Sequence, residues 1–196
     1  MFYSIIRFFA KIFLKIIDVE IKIKGKNNLP KNGNYILIAP HKSWLDPVFI
    51  ALASSPKQFF FMAKKELFSY KFFGWFIKKL HAFPVDRKSP GPSAIKKPVR
   101  TLRKSNLSFI FFPSGGFNSS RIKPGIIVIA GISKKPIIPV IYKGPNLLRN
   151  VFKCREIIVK FGTPIYIKHF LVHKSKSEKC YIHKIQNSLD KLEKEV

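Results

Sequence analysis

Two side chains with complementary acid–base chemistry, His41 and Asp46, lie five positions apart, just after a short apolar run that ends at Ala39. A carboxylate that accepts a hydrogen bond from one imidazole nitrogen fixes the tautomer of the ring, and the other nitrogen can then take a proton from a hydroxyl. The alternative is that Asp46 only caps the helix that Pro47 begins and that His41 is an ordinary loop residue. The pair by itself does not decide between the two interpretations.

Two further stretches have the chemistry of an anion site. Arg87 follows a brief extended segment, and a guanidinium can bind a phosphate through two hydrogen bonds. The sequence Ser114-Gly115-Gly116 follows the apolar run 107–112, and adjacent glycines let backbone N–H groups point into one concavity. On so basic a chain, an unspecific surface cation explains the arginine equally well, and a plain turn explains the glycines.

Strands that alternate with helices are expected to position these residues. Apolar or alternating runs predict strands at 19–25, 35–39, 58–63, 83–85, 107–112, 137–142 and 156–161, and helical patterns cover 46–54, 93–105, 126–133 and 177–195. Pro98 counts against the continuity of the helix over 93–105. The alternation predicts a single α/β domain over residues 18–196, with a largely parallel central sheet flanked by helices. In such sheets, ligands bind at the carboxyl ends of the strands, which most of the candidate residues follow.

The composition is strongly basic and rich in aromatic residues. Among 196 residues, 37 are Lys or Arg and 10 are Asp or Glu, so the formal net charge is +27, and 20 residues are Phe. This apolar content excludes disorder over most of the chain, and the absence of a run of roughly 18–20 uncharged apolar residues excludes a polytopic membrane protein. Cys154 and Cys180 lack metal-ligand spacing and predict free thiols in a reducing compartment. The positive charge predicts a polyanionic partner, either nucleic acid or an anionic membrane surface.

Two basic, aromatic segments favour the membrane over nucleic acid. Residues 1–17 predict an amphipathic helix in which three cations, spaced by four residues, form one stripe and apolar side chains fill the rest. A helix of this kind lies in the headgroup plane of a bilayer, whereas the alternative is an ordinary first helix packed on the core. In the second segment, residues 64–80, lysines surround Phe, Tyr and Trp, and Gly74 is expected to separate two short helical pieces. The two segments predict peripheral, monotopic association with the cytoplasmic face of the cell membrane, and no nucleic-acid partner.

Four sequence blocks occur in an order that resembles the glycerolipid acyltransferase family. They are His-x-x-x-x-Asp at 41–46, Phe-Pro-Val-Asp-Arg at 83–87, Phe-Pro-Ser-Gly at 112–115 and Ile-Pro-Val at 138–140. The resemblance covers residues 1–165 and is to the bacterial members that acylate lysophosphatidic acid. It implies the acyltransferase fold for the domain over residues 18–196, to which the amphipathic pattern of residues 1–17 adds a membrane-associating helix.

The resemblance also implies a role for each block. His41 would be the catalytic base, and Asp46 would be the carboxylate that orients it. The contacts to the substrate phosphate would come from four residues: Arg87, Ser114, Gly115 and Gly116. The acyl-donor side would be formed by three residues: Ile138, Pro139 and Val140. Ser114 stands where the family usually has Glu; a serine there can donate a hydrogen bond to phosphate, and it removes a repelling negative charge.

The implied reaction transfers a fatty acyl group from a thioester to the 2-hydroxyl of lysophosphatidic acid and gives phosphatidic acid, a step of phospholipid biosynthesis. The thioester would be acyl-CoA or an acyl-acyl carrier protein, and no metal or other cofactor is implied. The expected partners are therefore the anionic membrane surface, lysophosphatidic acid and the acyl donor. Two alternatives stay open: an acyltransferase that uses another lysolipid, and a non-enzymatic protein that binds anionic lipid.

Overall fold

The computed structural model describes residues 2–113, 122–168 and 174–196. Its strands are β1 (Glu20–Lys24), β2 (Ile36–Ile38), β3 (Phe59–Lys64), β4 (Ala82–Val85), β5 (Ser108–Phe111), β6 (Ile137–Lys143) and β7 (Glu156–Phe161). Its α-helices are α1 (Phe2–Ile16), α2 (Asp46–Ala53), α3 (Lys71–Lys79), α4 (Ser93–Lys104), α5 (Gly125–Ser133), α6 (Leu148–Val151) and α7 (Lys174–Lys194). Short 3₁₀ turns cover Lys26–Asn28 and Lys65–Phe68.

The strands form one sheet in the order β1-β7-β6-β2-β5-β3-β4. Strand β2 lies in the middle, where Ile36 pairs with Phe109 of β5 and with Ile137 of β6, both in parallel. The pair β6–β7 is antiparallel, and β1 pairs with β7 in parallel. The central strands are continuous apolar runs because both of their faces are covered. The prediction of a single α/β domain with a largely parallel sheet is therefore confirmed.

Two hydrophobic cores lie on opposite faces of this sheet. Successive residues of β2 divide between them: Ile36 and Ile38 belong to one core and Leu37 to the other. Helices α4, α5 and α7 cover the first face, and their buried side chains include Leu102, Ile126 and Ile185. Helices α1, α2 and α6 cover the second face. Helix α3 also lies on the second face, because its Ile77 packs with Ala63, which points to the same side of β3 as Phe59 of the second core.

One local expectation from the sequence is wrong, and it has a packing reason. Gly74 does not separate two helical pieces, because it lies inside α3; a Cβ there would stand 2.7 Å from the carbonyl oxygen of Phe68, so glycine lets α3 approach the preceding turn closely. The helix predicted over 93–105 is present as α4, which runs continuously over Ser93–Lys104 with the Pro98 ring buried on its inner side. The packing of this ring against the core offsets the backbone hydrogen bond that proline cannot make.

The predicted N-terminal helix is present as α1, and two of its three cations, Arg7 and Lys11, contact the domain. Arg7 donates hydrogen bonds to the carbonyl oxygens of Pro56 (2.7 Å) and Lys57 (3.2 Å), and Lys11 Nζ donates to Ser55 Oγ (3.1 Å). Tyr3 and Leu14 are buried against the domain, whereas six apolar side chains of the helix are exposed: Ile5, Phe8, Phe9, Ile12, Phe13 and Ile16. Within the described residues no helix combines the length and the hydropathy that crossing a bilayer requires. Membrane association itself stays a prediction.

Candidate active site

The loop between β2 and α2 folds back on the carboxylate of Asp46. His41 Nδ1 lies 3.1 Å from Asp46 Oδ2, and the same oxygen accepts the backbone N–H groups of Lys42 (2.7 Å) and Ser43 (2.8 Å). The Asp46 side chain is 1% exposed and that of His41 is 11% exposed. With a carboxylate as acceptor, Nδ1 carries the imidazole proton and donates it, which leaves Nε2 as the basic nitrogen of that tautomer.

The helix-cap alternative for Asp46 is wrong. The residue at the N-cap of α2 is Leu45, and no side chain caps the helix. Asp46 is instead the first helical residue, and its carboxylate turns back to the loop amides and the imidazole. Pro47 follows it in the first turn, where the missing N–H of proline costs no intrahelical hydrogen bond. The pattern that suggested a cap therefore builds a histidine–carboxylate pair.

Ser43 ties this loop to a distant part of the chain. Its hydroxyl donates to the carbonyl oxygen of Asn146 (2.8 Å) and accepts the backbone N–H of Leu45 (3.0 Å). Sequence reasoning missed this contact because the two residues are separated by 103 positions and a backbone carbonyl leaves no signature in a sequence. The nearest available signal was the serine itself, a small polar residue inside the His41–Asp46 interval.

A second hydrogen bond fixes the segment that carries Asn146. The hydroxyl of Tyr142 donates to the carbonyl oxygen of Pro145 (2.9 Å), and its ring stacks on Phe49 of α2 with the centroids 5.4 Å apart. Burial raises the pKa of the Tyr142 phenol, and the negative charge of Asp46 raises it further. The phenol therefore stays protonated at neutral pH and keeps its role as a donor.

The end of the neighbouring strand β5 forms a wall of the site. The Phe112 ring lies 4.4 Å from the imidazole of His41, centroid to centroid, at an interplanar angle of 31°. Lys42 also forms an ion pair with Glu193 of α7. Contacts from β5 and from α7 therefore hold the loop in addition to those made within it.

Arg87 lies at the same edge of the sheet as His41 but farther along it. It follows β4, which is separated from β2 by β5 and β3, a lateral distance of about 14 Å at the usual strand spacing. Asp86 organises its loop: Oδ1 accepts the N–H groups of Lys88 (2.9 Å) and Ser89 (3.2 Å), and Oδ2 accepts Lys65 Nζ (2.5 Å). The Lys65 ammonium, followed by these two amides, lowers the pKa of Asp86 to about 2.

Three of the predicted phosphate-binding residues, Ser114, Gly115 and Gly116, lie outside the described residues, and their role stays a prediction. Pro113 precedes them at the end of β5, which runs between β2 and β3.

The predicted acyl-donor residues Ile138, Pro139 and Val140 are buried in β6. Ile138 and Pro139 pair with Leu37 and Ile38 of the strand that leads to His41. The structure thus places them beneath the site, in the core that supports β2. A role on the acyl-donor side stays a prediction.

Cys154 and Cys180 are free thiols. In residues 2–113, 122–168 and 174–196 the His, Cys, Asp and Glu side chains form no group of three or more with metal-binding geometry. The prediction that no metal or further cofactor takes part is not tested by this observation.

The fold and the histidine–carboxylate loop agree with what comparison with known proteins finds. A family model described as Acyltransferase matches residues 20–143. That interval contains the loop and the strands on both sides of it, and it spans more than half of the sequence. The chain therefore belongs to the acyltransferase family.

Individual relatives narrow this class. The chain is 40% identical to the 1-acyl-sn-glycerol-3-phosphate acyltransferase of Streptococcus pneumoniae, over 100% of this chain and 74% of that protein. It is 36% identical to the Bacillus subtilis protein of the same name, over 88% of this chain and 91% of that one. The fold resembles the crystal structure of the 1-acyl-sn-glycerophosphate (LPA) acyltransferase PlsC from Thermotoga maritima, with a TM-score of 0.69, 22% identity, and coverage of 97% of this chain and 79% of that chain. The predictions of family membership and of an acyltransferase enzyme are confirmed.

Proposed function

We propose that the chain transfers a fatty acyl group from a thioester to the 2-hydroxyl of lysophosphatidic acid and so produces phosphatidic acid. The observation that carries the proposal is the His41–Asp46 pair, held on a braced loop at the carboxyl end of the central strand. The relatives from Streptococcus pneumoniae and Bacillus subtilis, both named 1-acyl-sn-glycerol-3-phosphate acyltransferase, support lysophosphatidic acid as the acceptor. Either acyl-CoA or an acyl-acyl carrier protein fits the chemistry as donor.

In the proposed reaction His41 is the general base. Asp46 accepts the Nδ1 proton in a hydrogen bond, so Nε2 takes the proton from the acceptor hydroxyl as its oxygen attacks the thioester carbonyl. The new C–O bond forms, the C–S bond breaks, and the thiolate leaves with the proton that His41 has carried. The buried negative charge of Asp46 stabilises the imidazolium between these two steps. No acyl-enzyme, metal or further cofactor is needed.

The acceptor phosphate would be bound farther along the same edge. Arg87 would bind it, from a loop that Asp86 and Lys65 hold in place. Ser114, Gly115 and Gly116 would complete the anion site through a hydroxyl and backbone N–H groups. Their segment starts at the end of β5, which lies between the strands that carry His41 and Arg87.

The enzyme would reach its lipid substrates by lying on the cytoplasmic face of the membrane. An apolar face supports this proposal; it consists of the exposed apolar side chains of α1, of the α3 region and of the α6 region. Phe2 contacts Trp75 of α3 (ring centroids 5.6 Å apart), and Phe13 contacts Phe152 beside α6 (5.8 Å), so the three regions are continuous. The members outside α1 are Tyr70, Phe72, Phe73, Trp75, Leu147, Leu148 and Phe152. Exposed apolar surface of this extent is typical of a membrane or protein contact.

The catalytic loop lies beside this apolar face. Its Trp44 and, one turn into α2, Val48 are exposed, and Ser43 is bonded to the chain just before Leu147. An acceptor that stays in the bilayer with its headgroup at the interface would therefore meet His41 without leaving the membrane. This arrangement favours an amphiphilic acceptor over a water-soluble one.

The test is a thin-layer assay in which purified protein, lysophosphatidic acid in vesicles and a labelled acyl donor are mixed and phosphatidic acid is measured. We expect activity for the unmodified chain and a loss of about 10²–10⁴-fold in kcat for His41→Ala, with unchanged circular dichroism and vesicle binding. His183→Ala is the matched control, because that histidine is exposed on α7 and pairs only with Asn187 among the described residues. It should change kcat by less than about twofold.

Three other results would contradict the proposal. Activity of His41→Ala within a few-fold of the unmodified chain would reject the histidine as base. Acylation of a different lysolipid, but not of lysophosphatidic acid, would keep the chemistry and change the acceptor. Retention on anionic vesicles without any acyl transfer would favour the non-enzymatic lipid-binding alternative.

A further inference from the structure

Helix α4 exposes a cationic surface that the proposed reaction does not use. Its inner side is buried through Ala94, Pro98 and Leu102. Its outer side consists of five exposed cations: Lys96, Lys97, Arg100, Arg103 and Lys104. We call these five residues the α4 basic face.

The charge of this face is not balanced within the molecule. No acidic residue occurs in the sequence between Asp86 and Glu156. None of the salt bridges in the described part of the chain includes a residue of α4. The side-chain interaction seen here is that of Lys97 Nζ, which lies 4.8 Å from the centroid of the Phe83 ring. Five uncompensated cations on one helix repel one another, so a bound anionic surface would stabilise the helix.

If the apolar face rests on the bilayer, the bilayer cannot be the anionic surface that binds the α4 basic face. Helix α4 packs on the first core, whereas α1 and α6 pack on the second core across the sheet. Two helical layers alone separate the outer surfaces by at least about 20 Å. The Debye length at physiological ionic strength is about 8 Å, so the α4 basic face contributes little to attraction across that distance.

We propose that the α4 basic face is the docking surface for an acidic protein, namely the carrier that delivers the acyl thioester. This inference rests on the proposed acyl transfer and specifies the class of acyl donor that the reaction uses. The position fits the role, because β4 ends at the carboxyl edge of the sheet, the Arg87 loop follows, and α4 begins at Ser93. The N-terminal end of α4 therefore lies at the edge of the sheet that holds His41, and a carrier seated on this helix would approach that edge from the side of the sheet away from the lipid.

The chemistry of the face favours a protein over a nucleic acid. Single-stranded nucleic acids are bound by cations interleaved with exposed aromatic rings, and among the described residues α4 exposes no large hydrophobic or aromatic side chain. A row of point charges suits the carboxylates on the surface of an acidic helical protein. Electrostatic docking of this kind is fast and weak, as a carrier that must leave after each turnover requires.

The test compares two donors and two charge variants of the full chain. One variant carries Lys96→Glu, Arg100→Glu and Arg103→Glu on the α4 basic face. The matched control carries Lys179→Glu, Lys184→Glu and Lys191→Glu, exposed on α7 over the same face of the sheet, with the same change in net charge. The KM for palmitoyl-acyl carrier protein and for palmitoyl-CoA is measured with lysophosphatidic acid in vesicles, and direct binding of the acyl-free carrier protein is measured by titration calorimetry.

We expect the α4 variant to raise the KM for the carrier-protein donor about tenfold or more and to change the KM for palmitoyl-CoA by less than about twofold. The α7 control should change both by less than about threefold. Binding of the acyl-free carrier should weaken in the α4 variant and should weaken with added salt in the unmodified chain.

The alternative outcomes separate the docking proposal from the reaction. Equal effects of the two variants would overturn the docking surface, since net charge alone would then explain them. Release of the α4 variant from anionic vesicles would show that α4 faces the membrane and would also overturn it. Transfer from palmitoyl-CoA without any carrier binding would reject the docking and leave the acyl transfer intact. Carrier binding without transfer from either donor would reject the proposed acyl transfer and leave an interaction with an acidic protein.

Discussion

Helices α1 and α4 are both amphipathic and both basic, yet α1 exposes large apolar side chains to the solvent and α4 exposes none. In α1 the cations Arg7 and Lys11 are bonded to the loop at 55–57, and the aromatic side is exposed. In α4 the apolar side packs on the core, and the cations are exposed. The two helices lie on different faces of one sheet. The difference gives the domain an apolar side and a cationic side.

This contrast shows why a sequence pattern alone does not assign a surface to a partner. An amphipathic pattern fixes which residues share a side of a helix, but not which side packs on the domain. For α1 the backbone carbonyls of Pro56 and Lys57 supply acceptors for Arg7, so this cation lies beside the buried side of the helix, which Tyr3 and Leu14 form. The basic stripe that suggested attraction to headgroups is in large part a structural contact.

The largest expected effect comes from removing aromatic side chains from the apolar face. Phe8 and Phe9 are 60% and 61% exposed, so Phe8→Ser with Phe9→Ser leaves the core intact. Each buried side chain of this size contributes at least about 1.5 kcal/mol, so the double variant should bind vesicles about 10²-fold more weakly. Vesicle flotation measures the partition.

The same flotation assay at raised salt concentration distinguishes membrane binding through the apolar face from membrane binding through cations. The unmodified chain should stay largely bound to vesicles at about 0.5 M salt, since screening weakens charge interactions and not apolar burial. Complete release at that salt concentration, or unchanged flotation of the double variant, would show that cations hold the protein on the membrane. The triple charge variant of α4 is the matched control and should float as the unmodified chain does.

A smaller effect is expected when one cation is removed from each helix. Arg7→Ala removes two hydrogen bonds from a charged donor, worth about 1 kcal/mol in this partly exposed setting, and should lower Tm by about 2–4 °C for a chain of this size. Arg100→Ala removes an exposed cation and should change the free energy of unfolding by less than about 0.5 kcal/mol. Thermal denaturation followed by circular dichroism measures both. Equal Tm values for the two variants, together with weaker flotation of Arg7→Ala on anionic vesicles, would show that Arg7 binds lipid headgroups and not the loop at 55–57.

The sequence contained most of the fold because the strands are short, apolar and separated by helices of clear period. The His41–Asp46 pair could be proposed for the same reason: both residues lie within one loop, so their spacing limits their distance. Contacts between distant segments left no such trace, and the bond from Ser43 to Asn146 was missed. Helix α6 was missed because its four residues are too few to show a helical period. The antiparallel direction of β7 depends on how the chain returns after α6, which no local pattern specifies.

The smallest expected effect concerns the inner side of α1 and its dependence on pH. The ring of His81 stacks on Tyr3 of α1 with the centroids 5.4 Å apart, and its Nδ1 is buried. Burial lowers the pKa of His81 below its ordinary value of 6.5, and the positive N-terminus acts in the same direction, against a backbone hydrogen bond at Phe59 that raises it. Below pH 6.5 the unfolded chain therefore binds a proton that the folded chain still excludes, and stability falls as the pH falls through this window. Among the described residues no hydrogen bond or ring contact joins a histidine to α4, so acid should loosen α1 first.

The variant His81→Asn tests this expectation, because asparagine does not titrate and tolerates the positive φ of 65° at this position. Between pH 7.5 and pH 5.5 the Tm of the unmodified chain should fall more than that of His81→Asn, and the excess should be smaller than the effect of Arg7→Ala. The change His183→Ala, in an exposed histidine of α7, should leave the excess in place. The expectation is contradicted if the Tm of the unmodified chain and that of His81→Asn depend on pH in the same way. The imidazole would then take up its proton without disturbing α1, and the apolar and cationic sides of the domain would be equally stable to acid.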